Sequence, residues 1–323
     1  MQTRDSEAHD GPLPLEPIAA SVAPRKTRGV RITTSDGFAL DATVCEPEGA
    51  PLATVMVSSG TAIRKEFYLK FALHLARRGY LAIVYDYRGV GGSRPRSLRG
   101  FSAQMREWGE KDMTAVLNWL EATYPGLPKH LVAHSMGGQL VGLMPNHALL
   151  ESIVTVSTSI GYWKEMTSAP FRLFCGFMWN VYVPLTSRLF GYIPIRILRQ
   201  GEDLPAGVGR EWAAWCNEPE YLLPFFGKSI EHNYYCQVRT PITAFAFTDD
   251  KIANRQTVPR MMRFYENAPV EVRFIAPHEV GLRSIGHFGF FSSRSSKLWD
   301  QAIEAMKHPP PLRSEVSALR HSN

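Results

Sequence analysis

Leu131-Val-Ala-His-Ser-Met-Gly-Gly138 joins two segments of different period. Ahead of the serine, His130–His134 is a short apolar run that predicts a strand, and behind it Met136–Leu150 predicts a helix, so the chain reverses its geometry at Ser135. The same unit recurs on both sides. Thr54–Ser58 predicts a strand, and Glu66–Arg78 predicts a helix in which Phe67, Phe71 and Leu75 recur every four residues until Gly79 stops it. Tyr80–Tyr87 predicts a strand, and Trp108–Leu120 a helix with Trp108, Ala115, Val116 and Trp119 on one face; Glu151–Thr158 predicts a further strand. Strands joined by helical crossovers imply an α/β fold with a mostly parallel, buried central sheet and helices on both faces. Function then belongs at the carboxyl ends of the strands.

Outward from this centre the pattern changes twice. Ile32–Glu46 alternates apolar and polar residues around Asp36-Gly37, a tight-turn dipeptide, and predicts two antiparallel strands. From 161 to 235 the alternation of strands and helices stops and aromatic residues accumulate, among them Trp163, Phe171, Phe174, Trp179, Trp212 and Phe226, which predicts an inserted helical cap. The core resumes with Ile242–Phe247 and Val270–Ile275 as strands and Thr257–Asn267 and Ser295–Lys307 as helices. The expected organisation is an N-terminal tail over 1–28, core over 29–160, cap over 161–235, core over 236–308 and a C-terminal tail over 309–323, the tails lacking periodicity.

Composition narrows the function classes. With 323 residues, 45% hydrophobic and 20% charged, the chain can bury one large core with a small inserted subdomain. The net charge of +6 comes from scattered Lys and Arg without interleaved stacking aromatics, which argues against a nucleic-acid partner. Cys45, Cys175, Cys216 and Cys236 lie far apart, suggesting neither a zinc site nor a disulfide framework, and the N-terminus lacks an apolar signal core, so the cytoplasm is the expected compartment. The apolar stretch from Ala169 to Ile197 is interrupted by Arg172, Asn180, Pro184, Arg188 and Pro194, so no stable membrane span is expected.

The sequence around Ser135 resembles the nucleophile elbow of the α/β-hydrolase superfamily, G-x-S-x-G, in which a strand turns abruptly into a helix and lifts a serine Oγ above the sheet. The residues two before and two after the serine must be small for strand and helix to pack; here they are Ala133, one methyl larger than the usual glycine, and Gly137. His134 and Met136 read as packing and pocket-lining groups. Tyr85-Asp-Tyr-Arg-Gly-Val-Gly-Gly-Ser93 is similar to the D-x-R-G-x-G-x-S segment of the same superfamily. It lacks the spacings of phosphate-binding loops and reads as a structural brace for the active-site face.

What the resemblance implies for the site follows position by position. Ser58-Ser-Gly-Thr-Ala62 stands where the superfamily places its oxyanion-hole loop, which assigns the backbone donors to Met136 and Thr61, or Gly60 if the loop is shifted. Ile242-Thr-Ala-Phe-Ala-Phe-Thr-Asp-Asp-Lys-Ile252 supplies the triad acid; Asp250 is favoured over Asp249, because the superfamily's acid is usually the later of such a pair while the earlier one caps or braces the turn. Ser284-Ile-Gly-His-Phe-Gly-Phe290 supplies the base, His287. The chain order Ser135, Asp250, His287 is that of the superfamily.

The resemblance, over about 29–160 and 236–308, implies a serine hydrolase that cleaves a carboxylic ester of a small to medium apolar substrate through an acyl-enzyme on Ser135, with neither metal nor organic cofactor. Serine at the elbow disfavours the dehalogenase and epoxide hydrolase chemistries, which use aspartate there. Thioesterase, peptidase and acyltransferase activities stay open, as does a non-catalytic ligand-binding member of the fold; oligomeric state is left open.

Overall fold

The computed structural model describes residues 26–198 and 201–311. In chain order they form β1 (Thr27–Thr33), β2 (Ala39–Cys45), β3 (Thr54–Ser58), α1 (Leu69–Arg77), β4 (Leu81–Tyr85), α2 (Thr114–Thr123), β5 (Lys129–His134), α3 (Met136–Gln139), β6 (Ser152–Val156), α4 (Ala169–Phe177), α5 (Val183–Phe190), β7 (Tyr192–Ile193), β8 (Leu204–Pro205), α6 (Ala206–Asn217), β9 (Ile242–Phe247), α7 (Thr257–Met262), β10 (Val270–Ile275) and α8 (Ser296–Lys307). The two tail readings fall largely outside the described residues, although β1 already begins at Thr27.

Eight strands form one sheet in the order β1-β2-β4-β3-β5-β6-β9-β10. The opening hairpin is antiparallel and pairs antiparallel with β4, and the strands from β4 to β10 are parallel to one another. Every residue of β3, β4, β5, β6 and β9 is buried, which is why these strands read as continuous apolar runs rather than alternations. Their side chains feed two cores. Val55, Val57, Val132, Val154 and Phe245 pack against α1 and α8 on one face, whereas Met56, Leu131 and Ala133 join Trp108, Val116 and Leu120 on the other.

Several predicted helices are shorter than expected, for local reasons. The one following Ser135 ends as an α-helix at Gln139, tightens to a 3₁₀ turn over Leu140–Leu143 and stops at Met144, which is extended (ψ 115°) because Pro145 follows it. The helix expected from Glu66 opens as a 3₁₀ turn over Lys65–Tyr68, and the one expected from Trp108 opens as a π turn over Trp108–Met113.

The loop after β4 is a polar brace. The Arg88 backbone N–H and Nε donate to the fully buried Asp112 carboxylate at 2.9 and 2.7 Å, and its guanidinium also reaches Asp36 at 2.8 Å. Between β6 and β9 the chain leaves the sheet to form α4, α5 and α6, and this helical insert folds back over the carboxyl ends of the strands.

Candidate active site

Ser135 leaves β5 with φ 50° and ψ −112°, a conformation costly for a residue with a Cβ. Its surroundings hold it there: its N–H donates to Val156 O at 2.8 Å, and its C=O accepts from Thr158 Oγ1 at 3.0 Å and from the Gly138 N–H at 3.1 Å. Two glycines let α3 come this close. A Cβ on Gly137 would stand 2.9 Å from Ser58 O, and one on Gly138 would stand 2.3 Å from Thr158 Oγ1. Ala133 is fully buried and its methyl group is accommodated without loss of the turn.

The structure brings the three residues named from their strand ends into one line. His287 Nε2 lies 3.0 Å from Ser135 Oγ, and His287 Nδ1 lies 2.8 Å from Asp250 Oδ2. With Nδ1–H given to the carboxylate, Nε2 is the acceptor for the serine hydroxyl. The other Asp250 oxygen accepts the N–H groups of Ile252 and Ala253 at 2.8 and 3.0 Å. Burial pushes the Asp250 carboxyl up, but the facing His287, through charge and hydrogen bond, and these two donors outweigh it and lower its pKa overall. Asp249 points elsewhere: its carboxylate accepts the N–H groups of Ile285 and Gly286 at 2.8 and 3.0 Å, bracing the loop that carries His287.

In the loop after β3 the N–H groups of Thr61 and Gly60 differ in their partners. The Gly60 N–H donates to Tyr68 Oη at 2.8 Å and is therefore committed, whereas Thr61 N–H makes no hydrogen bond among the described residues. Met136 opens α3, so its N–H has no partner within the helix. Ala62 holds φ 61° and its C=O accepts from the Glu202 N–H at 2.8 Å, tying the loop to the insert.

One connection has no signature in the sequence. Tyr68 Oη, which accepts from Gly60, donates to His134 Nδ1 at 2.8 Å, and His134 Nε2–H donates to the backbone carbonyl of His287 at 2.8 Å. Burial and the neighbouring His287 push the His134 pKa down to about 3, and burial raises that of Tyr68, so both ring groups stay neutral. His134, read from the sequence as packing, thus joins the elbow to the loop after β3 and to the loop carrying His287. No local pattern points to this, because the partners lie 66 and 153 residues away.

Above Ser135 lies a cavity of about 170 Å³. The sheet side contributes Thr61, Ser135, Met136 and His287; the insert contributes Met166, Phe171, Phe174, Met178, Trp179 and Trp212. Among the described residues no Asp or Glu lines it. An activated hydroxyl, a base with its carboxylate partner and uncommitted backbone N–H groups beneath an apolar volume suit acyl transfer to and from serine.

Residues 49–197 match a family model described as serine aminopeptidase, S33. The chain is 22% identical to a probable lysophospholipase L2 of Haemophilus influenzae, an alignment spanning 75% of this chain and 85% of that protein. Monoglyceride lipase of Rattus norvegicus is 28% identical over a shorter stretch, 34% of this chain and 35% of the lipase. Among solved structures, an esterase of Pyrococcus furiosus superposes with a TM-score of 0.59 at 15% identity, covering 91% of this chain and 97% of the esterase, which is a likeness of fold. Among the described residues no helix is long and apolar enough to cross a membrane.

Proposed function

We propose that this chain, a serine hydrolase of the α/β-hydrolase superfamily, cleaves a carboxylic ester with an apolar acyl or alkyl group through an acyl-enzyme on Ser135. The observation that carries the reading is the unbroken line from Asp250 through His287 to Ser135 Oγ at the floor of an apolar cavity. In the first half-reaction His287 Nε2 takes the hydroxyl proton as Oγ attacks the ester carbonyl carbon, and the N–H groups of Thr61 and Met136 hold the oxyanion. Collapse of the tetrahedral species expels the alcohol, which leaves with the proton from His287. Water then attacks the acyl-enzyme by the same route and releases the acid.

An ester is favoured over the free N-terminus of a peptide, despite the name of the matching family, because an α-ammonium entering this cavity would meet no carboxylate. The curated relatives named as a lysophospholipase and a monoglyceride lipase point the same way. We also place the protein in the cytoplasm, where four cysteines far apart in sequence stay as thiols.

The test joins a fluorophosphonate label with a series of p-nitrophenyl esters of increasing acyl length. Labelling of the wild type, its loss in Ser135→Ala, and turnover that rises with chain length to an optimum are expected. Equal labelling of Ser135→Ala, or turnover of amino-acid anilides with none of esters, overturns the reading.

A further inference from the structure

α4, the π turn Met178–Tyr182 and α5 run on from one another as a single rod from Ala169 to Phe190, on the order of 30 Å long. One side of the rod faces inward: Cys175, Met178, Val183, Thr186 and Ser187 are buried. The opposite side is also apolar, yet open to solvent. Leu173, Phe177, Val181, Leu185 and Leu189 follow one another four residues apart and are 73%, 52%, 47%, 52% and 60% exposed. In an uninterrupted α-helix such a row would drift around the axis by about 40° at each step; the π turn at its centre, which takes an extra residue, works against that drift. Scattered exposed leucines need no explanation, but a contiguous row of five along one rod marks a surface that something covers.

The charges on this part of the insert say what kind of surface that is. From Met166 to Gly201 the sequence has no Asp or Glu; Arg196 pairs with Glu202 just beyond the stretch, which leaves Arg172 and Arg188 on the rod itself. Arg188 and Arg210, from α6, border the same shallow groove on the rod, and neither forms an ion pair among the described residues. A second copy of the chain docking through a two-fold axis would set this patch against itself, with cation facing cation and no acid in the stretch to compensate. A lipid surface bearing anionic headgroups pairs with both features: acyl chains receive the leucines, and phosphates receive the arginines.

We infer that the outer face of α4 and α5 docks this protein on an anionic lipid surface, with Leu173, Phe177, Leu185 and Leu189 entering the headgroup boundary and Arg188 and Arg210 meeting phosphates. The inner side of the same rod lines the cavity over Ser135 through Phe171, Phe174, Cys175 and Met178, so docking sets the cavity beside the lipid. The docking stands on the exposed row and its charges; only the entry of an ester from the lipid rests on the function proposed above.

The experiment is flotation of the full-length protein with vesicles of phosphatidylcholine mixed with phosphatidylglycerol, and with phosphatidylcholine alone. The wild type is expected to float with the mixed vesicles, less at high salt, and weakly with the neutral ones. The variant Leu173→Ser/Phe177→Ser/Leu185→Ser/Leu189→Ser is expected to lose the vesicle-bound fraction by about tenfold or more, while its hydrolysis of soluble p-nitrophenyl butyrate is unchanged, none of the four residues lining the cavity. Arg188→Glu/Arg210→Glu, which leaves the apolar row intact, should lower binding to mixed vesicles only. Wild type that stays unbound to both vesicle types, or variants that float as well as wild type, overturns the inference. So does a lipid-free dimer in sedimentation velocity that the serine variant converts to monomer, since the row would then belong to a second copy. Protein that floats but cleaves no ester leaves the docking standing and removes the ester reading.

Discussion

The sheet and the helical insert each supply half of one cavity, and they do so by different means. On the sheet side every group that could react is held by directed hydrogen bonds: Ser135 by Val156 and Thr158, Asp250 by Ile252 and Ala253, and the His287 loop by Asp249 and His134. On the insert side Phe171, Phe174, Met178 and Trp212 offer surface with no directed bond, and the rings of Trp179 and Trp212 meet tilted at 59° with centroids 4.5 Å apart. Directed bonds fix atoms to within tenths of an ångström, whereas apolar contact tolerates changes of shape. The comparison teaches that rate should reside in the sheet and substrate preference in the insert.

The sharpest way to break this division is Ser135→Ala, which should lower kcat for a p-nitrophenyl ester by about 10⁴-fold or more with the fold intact. Substantial residual turnover would move the chemistry away from the elbow. Next come the neighbouring carboxylates. Asp250→Asn should cost about 10⁴-fold in kcat, because His287 loses the acceptor that sets its tautomer; Asp249→Asn, which only loosens the loop through Ile285 and Gly286, should cost far less. The reverse order would exchange their roles.

In the insert, Trp212→Ala or Phe174→Ala should raise KM for long-chain esters by about 10- to 200-fold and shift the chain-length optimum, with kcat for short esters nearly constant. A uniform fall in kcat across the series would mean that the insert also positions the reacting groups.

The smallest effect tests the bond between His134 and the His287 loop. Folded His134 stays neutral down to about pH 3, whereas in the unfolded chain it gains a proton below about 6.5. Between these values the unfolded state holds the extra proton, so stability falls as pH falls, by about 1.4 kcal/mol per pH unit from this residue. Urea midpoints taken from about pH 7 to about pH 5 should show a shallower acid loss in His134→Phe than in wild type. Parallel slopes would show that the ring is protonated in the folded protein.

Much of the sheet side was legible because its signals are local. A buried strand is a short apolar run, and a parallel sheet brings the ends of such runs to one edge; that Ser135 beyond β5 and Asp250 beyond β9 are the residues to name there is what the superfamily resemblance implies. The helix after Ser135 was read too long because apolar periodicity continues past Gln139, while Pro145 decides where it stops. Gly60 stayed open as the alternative donor to Thr61, because nothing near it in sequence says that a tyrosine will claim its N–H.

The insert was legible only in bulk. Its aromatic content was plain, but the same rings could equally have packed a small core of the insert's own. Periodicity in α4 and α5 cannot separate the side that lines the cavity from the side that faces water, since both are apolar.

The sequence by itself determined the order of the core strands and helices, the reversal at Ser135 and, through the superfamily resemblance, the strand ends from which Asp250 and His287 come, because each depends on residues within a turn or two of one another. Only the tertiary structure decided that Gly60 is committed to Tyr68, that His134 joins three loops, and that one apolar row lies outside while its helix lines the cavity. Those outcomes depend on which segments meet across the folded chain, and such meetings leave no period in the sequence to read.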